Sequence, residues 1–272
     1  MRVGFIGLGS QGAPMARRVI EAGFKTTLWA RRPATLAPFA DTPARIAASP
    51  VELAADSDVV CLCVVDDADV EQLTTGPDSV LSGLRRGGVV VVHSTVHPDT
   101  CRRLEERARL HRISVLDAPV SGGGRAAKQG SLLVMAGGDS PVFTSCLPVF
   151  SSYGDPVVHV GPVGAGQVAK LLNNVVFTAQ LGLAADTFAL AAGLGLDLKG
   201  LGRILPRGSA ASFALERVAD AGGNLDRIAA HAGGLLAKDV RLFAEITAQY
   251  GEKEGHGPVQ RGARAALESM GL

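Results

Sequence analysis

Arg2-Val3-Gly4-Phe5-Ile6-Gly7-Leu8-Gly9-Ser10-Gln11-Gly12 opens the chain and decides its fold. A short, almost wholly apolar run stops at a glycine turn, and a helical pattern follows from Ala13 to Ala22 before Gly23. The segment reads as strand, glycine turn and helix. Gly-x-Gly-x-x-Gly alone is a weak signal, but directly after a strand and at the head of a βαβ unit it marks a dinucleotide-binding turn. Gly7 serves the tight turn, Gly9 lets the backbone approach a pyrophosphate, and Gly12 lets the helix pack on the strand, with Leu8, Ser10 and Gln11 completing the loop. The helix N-terminus favours the phosphate charge. The alternative is a glycine turn with no ligand.

The second strand, Lys25 to Ala30, ends in Arg31-Arg32-Pro33. An NAD-binding unit commonly places Asp or Glu there to hold the ribose hydroxyls, and this chain has none. Two arginines can pair with a 2′-phosphate, which points to NADP, with NAD possible; the alternative is a solvated basic turn. The alternation continues with strands over Asp58 to Val65, Gly88 to Val92 and Ser114 to Ala118, and helices over Asp67 to Leu73 and Asp99 to His111. Strands that are apolar throughout and separated by helices predict a parallel sheet covered on both faces. Val64, Val65, Asp66, Ser94 and Thr95 then fall at its carboxyl edge, where they line the nicotinamide half of the cofactor or serve as ordinary caps and turns. Ser131 to Gly137, Pro141 to Tyr153 and Pro156 to Val160 read as strand, helix and closing strand.

Two further stretches carry chemistry. In Asp117-Ala118-Pro119-Val120-Ser121-Gly122-Gly123-Gly124, a hydroxyl followed by small residues at a strand end can present backbone N–H groups and Ser121 to a substrate carboxylate; a surface loop is the alternative. In Gly161-Pro162-Val163-Gly164-Ala165-Gly166-Gln167-Val168-Ala169-Lys170-Leu171-Leu172-Asn173-Asn174, a glycine-rich turn enters a long apolar helix. There Lys170 and Asn174 stand one turn apart on one face, an ammonium and an amide able to polarise a carbonyl and donate a proton. Lysine snorkelling and an asparagine cap are the alternative. After Gly161 only helices are readable: Val168 to Ala192, Leu198 to Leu205, Ser212 to Ala221, Leu225 to Tyr250 and Pro258 to Met270. The expected organisation is an α/β Rossmann-type dinucleotide-binding domain over residues 1–161, then an all-α domain over 162–272, joined by the long helix.

The 272 residues are 47% hydrophobic and 19% charged, with a net charge of +1, so nothing in the balance points to nucleic acid or a charged membrane. Cys61, Cys63, Cys101 and Cys146 show no metal-ligand spacing, which suggests a reducing cytoplasm and no metal. The first apolar run is too brief for a signal-peptide core. Val175 to Leu196 is apolar but interrupted by Gln180, Asp186 and glycines, which reads as a helix buried between domains or subunits rather than in a membrane. So small a domain offers such a helix too little cover, so self-association is expected.

The Gly7 turn, Asp117 to Gly123, Gly164 to Asn174 and Lys238-Asp239, in that order, resemble the β-hydroxyacid dehydrogenase family over essentially the whole chain. The resemblance implies an oxidoreductase passing a hydride between NADP(H) and a small carboxylated substrate: a β-hydroxy acid, or the corresponding semialdehyde or 2-oxo acid. It implies that Ser121, Gly122 and Gly123 bind the carboxylate, Lys170 is the general acid and base, Asn174 holds the substrate, Lys238 closes the site, and Asp239 has a structural part. The self-association expected of the long apolar helix would give a homodimer or homotetramer. Without the resemblance, Lys238 reads as a solvated helix lysine. Gln11 replaces the family's usual methionine, Asn224 to Ala237 lacks the usual phenylalanines, and the carboxyl terminus ends early relative to the family. An imine reductase-like enzyme and a nicotinamide-nucleotide-binding protein without turnover are the competing readings.

Overall fold

The computed structural model describes residues 1–249 and 257–272. They form two compact units, Met1–Lys170 and Leu171–Leu272. The first contains β1 (Arg2–Ile6), α1 (Gly12–Glu21), β2 (Lys25–Trp29), β3 (Arg45–Ile46), α2 (Pro50–Ala55), β4 (Val59–Leu62), α3 (Asp67–Thr74), α4 (Val80–Gly83) and β5 (Val89–Val92). It continues with α5 (Pro98–Leu110), β6 (Ser114–Asp117), β7 (Val120–Ser121), α6 (Gly123–Gln129), β8 (Leu132–Gly138), α7 (Ser140–Phe150) and β9 (Gly154–Gly161). Helix α8 (Ala165–Gly193) starts in the first unit and runs into the second. There it is followed by α9 (Leu198–Ile204), α10 (Phe213–Asp220), α11 (Asp226–Gln249) and α12 (Pro258–Ser269). The predicted helix end at Tyr250 lies outside the described residues.

The strands join one sheet in the order β3-β2-β1-β4-β5-β6-β8-β7, with β9 also paired to β8. From β3 to β6 all pairs are parallel. Val59, Val60, Cys61 and Leu62 of β4 and the four valines of β5 are all buried, as befits strands covered on both faces. Alternate residues divide between two cores. Val3, Phe5, Cys61 and Val91 face one, and Ile6, Val60, Leu62 and Val90 the other.

The expected parallel sheet holds from β3 to β6; beyond it β8 runs antiparallel to both β6 and β7. The reason is local. β7 leaves Pro119 directly after β6, and α6 is only 7 residues long and ends at Gly130 in the left-handed region, so the chain turns back beside its own sheet. The Asp117 to Gly124 stretch thus runs from the end of β6 through β7 and a turn at Gly122 into the start of α6. In the second unit α8 supplies Val175, Leu181, Ala184 and Phe188 to a core shared with α10, α11 and α12. By length and composition it could cross a bilayer, but it serves here as the spine of a helical core.

At the amino edge of the sheet, Arg2 grips Asp58 through its backbone N–H at 2.9 Å and its guanidinium at 2.8 Å and 3.0 Å. Burial alone would raise the Asp58 carboxyl, but the Arg2 bonds and the Arg85 charge outweigh it and hold the group below the ordinary carboxylate range. The stability this pairing contributes is thus present above about pH 4 and lost as pH falls through the lower folded-state value. Arg2→Ala is expected to lower the melting midpoint at neutral pH by about 2 °C and to flatten its decline below about pH 4. Calorimetry of both proteins across that range checks this, and superimposable profiles would show the bridge to be idle.

Candidate active site

The glycine turn leaves β1 beside the end of β4. Gly7 has a φ of +95°, and a Cβ there would lie 2.1 Å from the Cys63 carbonyl oxygen; one on Gly12 would lie 1.9 Å from the Gly7 carbonyl oxygen. A Cβ on Gly9 would meet no protein atom within 4 Å. No side chain caps α1; Ala13 N–H donates back to the Gly9 carbonyl at 3.0 Å and Pro14 has no N–H to pair, so the N–H of Gly12 is the one left at the helix start. An uncapped helix start behind a glycine with free space ahead of it is a cradle that fits a pyrophosphate.

The next strand ends are tied to one another. Ser94 Oγ accepts from Val64 N–H at 2.8 Å and is buried. Asp66 caps α3 by accepting from Asp69 N–H at 3.0 Å. Of the residues expected along the nicotinamide half, Ser94 and Asp66 therefore hold backbone, Thr95 is half-buried, and Val65 stands 67% exposed as an apolar surface. Arg31 pairs with Asp69 at 2.7 Å and with Gln72 at 3.1 Å. Arg32 is exposed.

Ser121 pairs in register with Leu133 of β8, which fixes the turn that follows. Gly122 and Gly123 take φ of +124° and +68° and are exposed. A side chain at Gly122 would meet Ala126 at 2.6 Å, so the turn needs glycine for its backbone as well as its openness.

Two residues to which the sequence reading gave no role set Lys170. The Asp117 carboxylate, wholly buried, accepts from Gly164 N–H and from Gln167 N–H, each at 2.7 Å. It stands where α8 has orphan donors and a positive dipole end. Burial pushes its carboxyl above the ordinary range, while those two donors and Arg102 pull the other way. Gln167 completes the latch, its Oε1 accepting from Val96 N–H at 3.0 Å and its Nε2 donating to the Ser94 carbonyl at 2.9 Å. Gly166 permits this closeness, since a Cβ there would lie 2.4 Å from the Met135 carbonyl oxygen. Lys170, one turn further on, is only 8% exposed. The signal available in sequence was an acid at a strand end and an amide just before the lysine, but only the fold shows that they meet.

In the helical unit Asp239, 4% exposed, is a hub. It accepts from Asn174 Nδ2 at 2.5 Å, and Asn173 donates to Asn174 Oδ1 at 2.9 Å. Lys238 Nζ lies 3.2 Å from Asp239 Oδ1. That oxygen has no aligned hydrogen bond, so the contact is an ion pair by proximity, which a carboxylate this buried requires. Asp239 thus holds together Asn174 and Lys238, two of the residues expected to meet substrate.

Residues 2–161 match the NAD binding domain of 6-phosphogluconate dehydrogenase, and residues 164–259 match the NAD-binding region of NADP-dependent 3-hydroxyisobutyrate dehydrogenase. An NAD-dependent L-serine dehydrogenase of Pseudomonas aeruginosa is 34% identical over 251 residues, 90% of this chain and 84% of that one. A 2-(hydroxymethyl)glutarate dehydrogenase of Eubacterium barkeri is 32% identical over 216 residues, 79% of this chain and 74% of the relative. Among solved structures, Mycobacterium tuberculosis 3-hydroxyisobutyrate dehydrogenase with L-serine superposes with a TM-score of 0.85 at 26% identity, covering 98% of this chain and 94% of that one.

The cradle separates two glycines experimentally. Gly9→Val fills open space, so it should weaken cofactor binding at least about tenfold, some 1.4 kcal/mol, while the melting midpoint stays within about 2 °C of the parent. Gly12→Ala should lower the midpoint itself, because its methyl group meets backbone. Fluorescence titration and thermal melts of both variants check this; equal cofactor affinity in Gly9→Val would remove the turn from the site.

Proposed function

Since the chain belongs to the β-hydroxyacid dehydrogenase family of NAD(P)-dependent oxidoreductases, we propose that it interconverts a small β-hydroxy acid and the corresponding semialdehyde, or a 2-oxo acid and the hydroxy acid formed from it, with Lys170 as general acid and base. The observation that carries this is the latch. A buried lysine sits on a helix start that Asp117 and Gln167 bind to the same sheet edge that bears the glycine cradle.

Gly7 to Gly12 would hold the cofactor's pyrophosphate, with Val65 and Thr95 beside its nicotinamide. When bound, the cofactor supplies or accepts the hydride. Lys170 gives a proton to the carbonyl oxygen in reduction and takes it back from the hydroxyl in oxidation, so no charge is left on that oxygen. Ser121 and the N–H groups of Gly122 and Gly123 would bind the substrate carboxylate, and that remote binding energy aligns the reacting carbon. Asn174 would hold the substrate hydroxyl end and Lys238 would close over it, both oriented by Asp239.

The substrates named for the relatives, 3-hydroxyisobutyrate, L-serine and 2-(hydroxymethyl)glutarate, share a hydroxymethyl group on the carbon that bears a carboxylate. That is the class expected here. NADP is the preferred cofactor in this reading, with Arg32 meeting the 2′-phosphate and Arg31 doing so on leaving Asp69. The cytoplasm is the proposed compartment.

Lys170→Ala should lower kcat by about 10² to 10⁴ while cofactor affinity holds. The assay follows reduced-nicotinamide absorbance with NADPH and NADH in parallel. Its panel comprises the three acids above with oxidised cofactor, and glyoxylate, succinic semialdehyde, tartronate semialdehyde and methylmalonate semialdehyde with reduced. Faster reduction of a cyclic imine than of any panel member would replace this reading with an imine reductase. Cofactor binding without any turnover would replace it with a binding protein.

Leu172, Val176, Leu183 and Leu190 lie within about 40° of one another around α8 and are exposed. In this reading a second copy of the chain covers them, giving a homodimer or homotetramer. Light scattering should return a multiple of the single-chain mass, and Leu183→Glu with Leu190→Glu should return the single-chain mass; a monomeric parent would refute the assembly.

A further inference from the structure

His93 follows β5 immediately before Ser94 and is 2% exposed. Its Nδ1 lies 2.7 Å from the Ala118 carbonyl oxygen. A carbonyl only accepts, so Nδ1 carries the proton and Nε2 is the acceptor. The Tyr153 hydroxyl, 3.1 Å from Nε2, therefore donates to it. The ring stacks on Phe5 at 6.4 Å and meets Phe150 and Tyr153 edge-on at 6.1 Å and 5.6 Å. Burial holds its pKa down to about 4, so the imidazole stays neutral, in one tautomer, throughout the neutral range.

The placement of this ring joins parts that the sheet alone leaves separate. The His93 N–H donates to the Leu62 carbonyl at 2.8 Å, which binds it to the end of β4, and the next residue ties Val64. Its side chain reaches across to Ala118, the residue at which β6 leaves the ladder. Pro119 has no N–H to offer there, and its carbonyl accepts from Met135 N–H at 3.1 Å. The path from β6 into Ser121, Gly122 and Gly123 is thus pinned by His93 at Ala118 and by β8 at Pro119.

We propose that His93 is a positioning residue for the turn Ser121–Gly123, its Nδ1–H bond to the Ala118 carbonyl setting where that turn presents a substrate carboxylate relative to the Ser94 strand end. The assignment rests on the carboxylate-binding reading of that turn given above. Tyr153 satisfies the other ring nitrogen, while the Ala118 carbonyl by itself selects the tautomer.

The test uses the full chain and compares KM, kcat and cofactor affinity in five variants. His93→Phe with Tyr153→Phe keeps the ring packing and removes the donor without stranding the tyrosine hydroxyl. It should raise KM for the acid substrate about tenfold, with kcat and cofactor affinity changed less than about twofold. His93→Asn, whose amide can reproduce the Nδ1–H bond, should recover most of the loss. Tyr153→Phe alone should stay near the parent, and Ser121→Ala should raise KM, as should Ser121→Ala added to the double variant, by less than the product of the separate effects. In the unmutated protein loaded with reduced cofactor, the His93 Nδ1–H nuclear resonance should shift when 3-hydroxyisobutyrate is titrated in, a readout that does not depend on any variant folding. A parent-like KM in the double variant alongside a raised KM in Ser121→Ala would overturn the role of His93 and leave the turn's role intact. A parent-like KM in Ser121→Ala would overturn the reading of the turn and this proposal with it, and an unmoved resonance would overturn the proposal.

Discussion

The Asp117 carboxylate, shut inside the first unit and bonded to the backbone N–H groups that begin α8, is the constraint on which the candidate chemistry depends. A helix start normally shows its orphan donors to water or to a capping side chain from its own chain segment. Here the cap comes from a strand end 47 residues earlier. Removing that acid would leave two buried N–H groups unpaired, at about 1–3 kcal/mol each. Gln167 adds bonds to the neighbouring strand end, donating to the Ser94 carbonyl and accepting from Val96 N–H, so the helix start is tied to the sheet edge at two places. Lys170 therefore inherits its position from the sheet.

The same economy runs along the carboxyl edge. Gly7 packs on the Cys63 carbonyl, Ser94 on Val64, His93 on Ala118, and Asp117 on α8, so each strand end is held by the next. These are polar contacts laid over apolar strands, and they lie where a parallel sheet runs out of ladder partners. The sheet supplies rigidity through Val59 to Leu62 and Val89 to Val92, and the loops above it supply the groups that chemistry can use. In the helical unit Asp239 does the corresponding work. One buried carboxylate orients the Asn174 amide and meets the Lys238 ammonium, and the amide oxygen faces Asn173 as a result.

Arg31 shows how far chemistry can be inferred from residue type alone. Two arginines at the end of β2 are the right groups for a 2′-phosphate, and both are exposed. Yet Asp69, four residues beyond the exposed Val65, already engages Arg31, and Asp69 in turn is held near Asp66 at the start of α3. The pairing is on the surface, where an ion pair is worth about 1 kcal/mol or less, so it competes with a phosphate without precluding one.

The residues themselves determined the alternation of strand and helix up to Gly161, the helices after it, the glycine cradle, and the motifs around Ser121 and Lys170, because periodicity and glycine spacing are local properties. Antiparallel β8, short α6 and the strand β7 were not legible there, since the direction of a strand is set by what the preceding connection can span and not by the strand's own residues. Nor were the partners of Asp117, Gln167, His93 and Asp239. An acid, an amide or an imidazole in a sequence carries its donors and acceptors with it, but which backbone group or side chain satisfies them depends on segments far apart in the chain being folded against one another. Tertiary structure alone decided that a strand-end aspartate would cap the helix bearing Lys170, and that a buried histidine would hold the carbonyl three residues before Ser121.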